Sequence, residues 1–242
     1  MRRNTESGIS TYVGNFDQLI GVCKGFGPDY NPVPDYLKIA ALQAQSVHIK
    51  SAVNDTDIAL SNAISAEGKR HDLFALLAPR ATRVLAAATI LGLPESIIVH
   101  IKEIVRKIRG KRSKPIEPEQ GQENETPKKH ISVSQKSFNE QIEHLHQLVT
   151  LVASQPLYKP AENDLTIDAL RKLQADMGIA NDAAVEANRI LDEAREKRNE
   201  LLYAPGSGMM DTALAVKEYV KAAFGAPTWC YLEVKKIPFR NR

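Results

Sequence analysis

Residues 30–73 of this chain recur at 158–201. Tyr30-Asn31-Pro32, followed by Leu37, Ile39, Ala41 and Leu42, returns as Tyr158-Lys159-Pro160, followed by Leu165, Ile167, Ala169 and Leu170, at a constant offset of 128. Lys69-Arg70-x-x-Leu73 returns at the same offset as Lys197-Arg198-x-x-Leu201. The flanks repeat with slightly different offsets: Ile9-Ser10 and Phe16 answer to Ile131-Ser132 and Phe138, and Val105-Arg106-Lys107-Ile108 to Val234-Lys235-Lys236-Ile237. Self-similarity at so long a period is a statement about architecture. It predicts a tail over 1–8, a first helical unit over 9–112, a linker over 113–130 and a second helical unit over 131–242. It names no activity.

The secondary structure follows from spacing. Leu170, Leu173, Met177, Ala180, Ala184, Ala187, Leu191, Ala194, Arg198 and Leu201 fall at intervals of three and four, a helical seam of heptad type. Leu42, Gln45, Ile49, Ala52, Thr56, Ala59, Ala63, Ala66, Arg70 and Leu73 hold the equivalent places. The phase passes through Gly178 and Asn181-Asp182 without a slip, so one helix of nearly 40 residues per unit is expected, with a break at Gly178 as the alternative. Shorter helices are expected at about 12–24 and 138–154 before the long ones, and at 80–91, 95–109 and 209–224 after them. Asp35 and Asn163 are the expected caps, and 228–237 is read as extended. The predicted fold is all-α, an elongated helical bundle of two tandem repeats.

Composition agrees. The 242 residues are 43% hydrophobic and 25% charged, ordinary for a packed domain, and only 6% aromatic. Few aromatics and many alanines favour close-packed helices over strands. Two cysteines without metal-ligand spacing fit a reducing compartment. The Met1-Arg2-Arg3 start leads into no apolar segment, and no run of about 18 apolar residues is evident, so the expectation is a cytoplasmic protein with no membrane role. The 113–130 stretch is rich in Pro, Glu, Gln, Asn and Lys and reads as a flexible, solvated linker.

The formal charge of +3 does not by itself imply nucleic acid, but its distribution is uneven. Residues 102–114 hold seven Lys and Arg against one Glu, whereas 115–127 hold four Glu and no base. The basic ends of the two units, Arg106, Lys107, Arg109, Lys111 and Arg112 and then Lys235, Lys236, Arg240 and Arg242, have a composition able to grip phosphate backbones. Because they recur, the expected role is structural, complementing helix C-termini, with nucleic-acid binding as the alternative. Arg70 and Arg198 are the only charges on their seams. A charge there needs a partner or a route to water, so the pair is read either as a seam anion site or as structural arginines, held in an ion pair or reaching outward with stems along apolar surface, the structural role being expected.

Other motifs are incomplete. Glu143-x-x-His146 is half of a di-iron helix-bundle signature, and the equivalent positions in the first unit are Gly21 and Lys24. Pro205-Gly206-Ser207-Gly208 precedes a helix but lacks the lysine of a phosphate loop. Phe224, Trp229, Tyr231 and Phe239 gather aromatic area near the C-terminus and are read as a plug on the bundle, or as a partner site. No cofactor, metal or catalytic residue is expected.

The stretches Asn15-Phe16-x-Gln18-Leu19-Ile20, Lys107-Ile108-x-Gly110-Lys111-Arg112, Ile131-Ser132-Val133-Ser134-Gln135, Leu202-Tyr203-Ala204-Pro205 and Tyr219-Val220-Lys221-x-x-Phe224-Gly225-Ala226 make the chain resemble an uncharacterised family of tandemly duplicated all-helical proteins. The resemblance covers most of the chain outside the linker. No activity is known for that family, so it implies the architecture and no functional residue. The reading that follows is a non-enzymatic scaffold or protein-interaction protein, with a protein partner or self-association expected and nucleic acid as the alternative partner.

Overall fold

The computed structural model describes residues 6–110 and 137–239. Every regular element among them is helical: α1 (Glu6–Gly25), α2 (Ile39–Ala75), α3 (Leu77–Ile90), α4 (Glu95–Ile108), α5 (Phe138–Ala153), α6 (Ile167–Tyr203), α7 (Met209–Phe224) and α8 (Trp229–Lys236). Short 3-10 turns at Asp35–Leu37 and Asn163–Leu165 precede the two long helices. The all-α expectation holds. The anticipated linker, and residues 111–136 generally, lie outside the described residues.

The long helices α2 and α6 contain 37 residues each, roughly 55 Å at 1.5 Å per residue. α6 passes through Gly178 unbroken. Both are entered through the same local device. The Tyr30 hydroxyl donates to the Leu37 carbonyl at 2.9 Å, and the Tyr158 hydroxyl donates to the Leu165 carbonyl at 3.0 Å. Each tyrosine is buried, so the bond satisfies a carbonyl that water does not reach. The expected caps are corrected: Asp35 and Asn163 open the 3-10 turns instead, and the Thr166 hydroxyl accepts from the Ala169 amide at the head of α6.

Other boundaries also shift for local reasons. α3 starts at Leu77 with Pro79 in its first turn, where a missing amide hydrogen costs no helical bond. Segment 228–237 is mostly helix, not extended, because the Thr228 hydroxyl caps the Tyr231 amide. α5 begins at a capping box in which Ser137 and Glu140 satisfy each other's backbone amides.

The chain gathers into two compact units, and the division cuts across the sequence repeats rather than between them. One unit runs through Asn62 and resumes at Ala187; the other is Ala63–Glu186. The first therefore holds α1, the N-terminal part of α2, the C-terminal part of α6, α7 and α8. Its core is built on Phe16, Leu19, Leu42, Ile49, Leu202, Met209, Val216 and Val234. Small seam residues let α2 and α6 come close within it: the Thr56 hydroxyl lies 3.3 Å from the Ala194 carbonyl oxygen. The amide nitrogen of the Gln45 side chain donates to the Ser207 carbonyl at 3.0 Å, so these two segments run antiparallel.

The second unit holds the C-terminal part of α2, α3, α4, α5 and the N-terminal part of α6. Its core is built on Phe74, Leu77, Val84, Ile101, Val105, Leu145, Leu148, Leu170 and Met177. A 3-4 seam buries only a narrow stripe; in each unit the shorter helices supply the remaining apolar surface. Each fully buried Leu, Ile or Phe in these cores contributes about 1.5–3 kcal/mol.

Among the described residues one helical stretch, within Ile39–Ile90, is by length and composition apolar enough to cross a membrane, which departs from the sequence expectation. The α3 part of that stretch buries Leu77, Ala81, Val84 and Ala88 in the core of the second unit. Its arginines, Arg80 and Arg83, pair with Asp164.

Candidate functional site

The strongest polar arrangement lies in the second unit, around Arg70. The Arg70 guanidinium stacks on the Phe138 ring, 4.0 Å from its centroid, and donates to Asn181 Oδ1 at 3.4 Å. The Asn181 amide donates in turn to Asn139 Oδ1 at 3.0 Å. Phe138 packs edge-on against Phe74, with centroids 4.8 Å apart. The heptad spacing of α2 puts Arg70 on its seam, Asn181 stands beside the seam position Ala180 of α6, and the capped first turn of α5 supplies Phe138 and Asn139. The cation thus sits on an aromatic shelf and is met by neutral oxygen.

Arg198 occupies the equivalent place in the first unit and is only 8% exposed. Its Nε and Nη2 donate to Asn199 Oδ1 at 3.3 and 3.1 Å, and no nitrogen of its side chain is both buried and unpartnered. Asn199 is exposed, whereas Arg198 as a whole is buried. Arg70 and Arg198 each sit within a different compact unit.

The basic ends divide similarly. Arg106 and Lys107 fill the last turn of α4, and Lys235 and Lys236 the last turn of α8. Positive charge there complements the helix dipole in both units. Arg106 and Lys107 are half-buried. Arg109 is exposed but spends two nitrogens on the Thr82 hydroxyl, at 3.1 and 2.5 Å. Lys236 pairs with Glu233 at 2.6 Å, and Lys235 is exposed. Lys111, Arg112, Arg240 and Arg242 lie outside the described residues.

The incomplete motifs resolve into ordinary contacts. Glu143 and His146 both face outward; Glu143 accepts from Gln147 at 3.1 Å, and His146 Nδ1 lies 3.3 Å from the Gln174 amide nitrogen. Among the described residues no three His, Cys, Asp or Glu side chains are grouped to hold a metal ion. In the 205–208 turn Gly206 has φ +76° and its amide donates to Asp211 Oδ2 at 2.8 Å, so the protein's own carboxylate takes the donor that a phosphate would use. Gly208 lies so near Ala204 that an added Cβ would come within 2.6 Å of its backbone nitrogen. Burial pushes the Cys23 thiol up to about 12, which keeps it protonated and unreactive at neutral pH.

At the C-terminus Phe239 and Ile237 are buried in the first core, and the segment is held by two bonds. Asn15 donates to the Pro238 carbonyl at 2.9 Å, and the Lys217 ammonium to the Ile237 carbonyl at 2.5 Å. Phe26 packs against Phe224 and Trp229, with centroids 5.2 and 5.6 Å apart. Phe239 acts as a plug, whereas Trp229 remains 66% exposed.

His144 was passed over by motif spacing. It is buried on the flank of α5, and both of its ring nitrogens lack a hydrogen-bond partner. The apolar stripe of α5 (Phe138, Ile142, Leu145, Val149, Val152) does not contain it. Burial on this second side comes from packing between helices, since α4 and α3 both lie against α5. No protein-family model, curated protein or solved structure matches this chain.

Proposed function

We propose that this chain is a non-enzymatic helical interaction protein of the cytoplasm, built from two tandem copies of one unit. Duplication is supported by two 37-residue helices, two 3-10 turns and two tyrosine-to-carbonyl bonds, each pair separated by 128 positions. The observation that carries the interaction reading is the outer surface of the long helices. Val47, Ile58 and Ile64 on α2 are 54–63% exposed, and Ile179 and Val185 on α6 are 68% and 59% exposed. β-Branched residues lose rotamer freedom in a helix, and these gain no burial in return. Neither helix formation nor core packing accounts for them, whereas a protein partner does. Val47 and Ile58 are eleven residues apart, about three helical turns, and so share one face of α2. In the second unit Ile179 is flanked on its face by the exposed Ala175 and Ala183.

The test is a set of lysine substitutions, V47K/I58K and I179K, compared with the unaltered protein in capture from native lysate. The expected result is loss of a nuclease-resistant protein partner with helicity and denaturation midpoint preserved. Undiminished capture by both variants overturns the reading. A load that nuclease and salt remove would instead favour phosphate-backbone binding through Arg106, Lys107, Arg109, Lys235 and Lys236.

A further inference from the structure

His144 is the only side chain among the described residues with buried polar atoms that find no partner. It stands on α5, which packs against both α4 and α3, and it is 6% exposed. The interface around it is apolar, with Ile101, Val105 and Ile108 of α4 and Leu145 and Leu148 of α5 all buried. A neutral imidazole leaves one donor and one acceptor unsatisfied in such a place; a protonated one leaves two donors and a charge. We propose that His144 is a proton-operated wedge, whose protonation loosens α4 from α5 and opens the second unit on acidification.

The charges facing it agree with this direction. Burial is the largest influence holding the imidazole below its ordinary value, and the Lys107 ammonium on α4 adds to it. Glu140, the Gln147 side chain and Glu143, all on His144's own helix, pull the other way and are outweighed. Glu140 is committed to the Ser137 cap and Glu143 to Gln147. No charge of α3 or α6 among the described residues acts on the ring; Arg80 and Arg83 of α3 are paired with Asp164.

The sign follows from linkage. With the folded value depressed, the unfolded or opened state binds the proton more readily. Stability is therefore intact above the ordinary histidine value of about 6.5 and falls as the pH drops through it. The first unit offers an internal control, since its only histidine, His48, is exposed. The device is independent of what the long helices bind.

The experiment is native-state hydrogen exchange on the full chain at pH 7.5, 6.5 and 5.5, with exchange corrected for its intrinsic pH dependence. The opening constant of core amides in α4 and α5 is expected to rise by up to about tenfold per pH unit below 6.5, the limit for one proton. Amides of α1 and α7 should stay unchanged. The variant H144L should abolish the pH dependence while leaving α4 and α5 at least as protected at pH 7.5. A pH dependence equal in H144L and the unaltered protein overturns the proposal. Should H144L fail to fold, an NMR titration of the unaltered protein decides: an imidazole that titrates at or above the ordinary value overturns it, and one that stays neutral below it supports it.

Discussion

Near the end of each long seam stands an arginine, Arg70 in the second unit and Arg198 in the first, and their surroundings differ. Arg70 lies on the Phe138 ring and is met by an asparagine pair, Asn181 and Asn139. Arg198 donates to the neighbouring Asn199. The offset that matches Phe16 to Phe138 also matches Asp17 to Asn139. Asp17 does not turn to the arginine: it accepts from the Ser46 hydroxyl at 2.5 Å and pairs with Lys50 at 2.7 Å. Phe16 is fully buried, whereas Phe138 is half-covered. Equivalent apolar spacing is enough to produce equivalent helices, because the seam depends on burial alone. Polar positions answer to their immediate neighbours, so the same backbone carries two different polar arrangements.

The helix entrances differ in the same way. Both have the buried tyrosine-to-carbonyl bond, but the second braces the turn. In the first unit the brace is Tyr219, whose hydroxyl accepts from the Asn31 amide at 3.2 Å and whose ring packs edge-on against Tyr30. In the second it is ionic: Arg83 grips both carboxylate oxygens of Asp164, at 2.5 and 3.0 Å. One brace is insensitive to pH and salt, and the other is sensitive to both.

The largest effect that tests this comparison is at the matched phenylalanines. F16A should cost about 3–5 kcal/mol, as for a buried aromatic that leaves a cavity. F138A should cost less, about 1–3 kcal/mol, for a half-covered ring that also supports a cation. Denaturant titration of the two variants measures both. Equal losses would mean that the Arg70 shelf is as much core as Phe16, and the contrast between the units would fail.

A smaller and more nearly equal pair is Y30F and Y158F. Each should cost about 1 kcal/mol, since each removes one hydrogen bond to a buried carbonyl. Burial raises both hydroxyls well above the ordinary tyrosine range, Tyr158 to about 12, so neither ionises under the conditions of the measurement. A null effect at one site alone would show that the recurring bond has unlike roles in the two units.

The smallest effect concerns Asp164. Its hydrogen bond to Arg83 holds the carboxyl below the usual carboxylate range. The contribution is therefore present above about pH 3.9 and is lost as the pH falls further. The group is open to solvent, so the change should be slight and should shrink in high salt. Thermal melts of the unaltered protein and D164N between neutral pH and pH 3 should converge at the acid end. Curves that stay parallel throughout would remove the ionic brace from the comparison.

Much of the fold was legible before any coordinates. The seams of α2 and α6 are plain in the sequence because a buried stripe on a long helix forces apolar residues to recur at three and four. The Tyr-x-Pro repeat marked the helix entrances, although it did not reveal that the hydroxyl bonds a carbonyl seven residues on. The capping box at Ser137-Phe138-Asn139-Glu140 is legible in kind, as Ser-x-x-Glu before an apolar run. α8 departs from the extended reading because its eight residues are too few for periodicity to show, and its start depends on the Thr228 cap. The candidate site was half legible. Arg70 announced itself as a charge on a seam, but Asn181, Asn139 and Phe138 come from α6 and α5, remote in sequence. His144 gave no signal, since it lies off the apolar stripe of its own helix.

What the sequence alone determined was what repeats: the all-helical character, the two long helices in matching registers and the turns that open them. These rest on local spacing and on contacts a few residues apart, which a one-dimensional pattern records. Tertiary structure alone decided which parts of the repeats share a core. It joined the N-terminal part of α2 with the C-terminal part of α6 in one compact unit and buried His144. It also covered Phe239 and left Trp229 in solvent. Burial depends on which helix lies alongside, and that is a property of the assembled chain that no single helix's pattern contains.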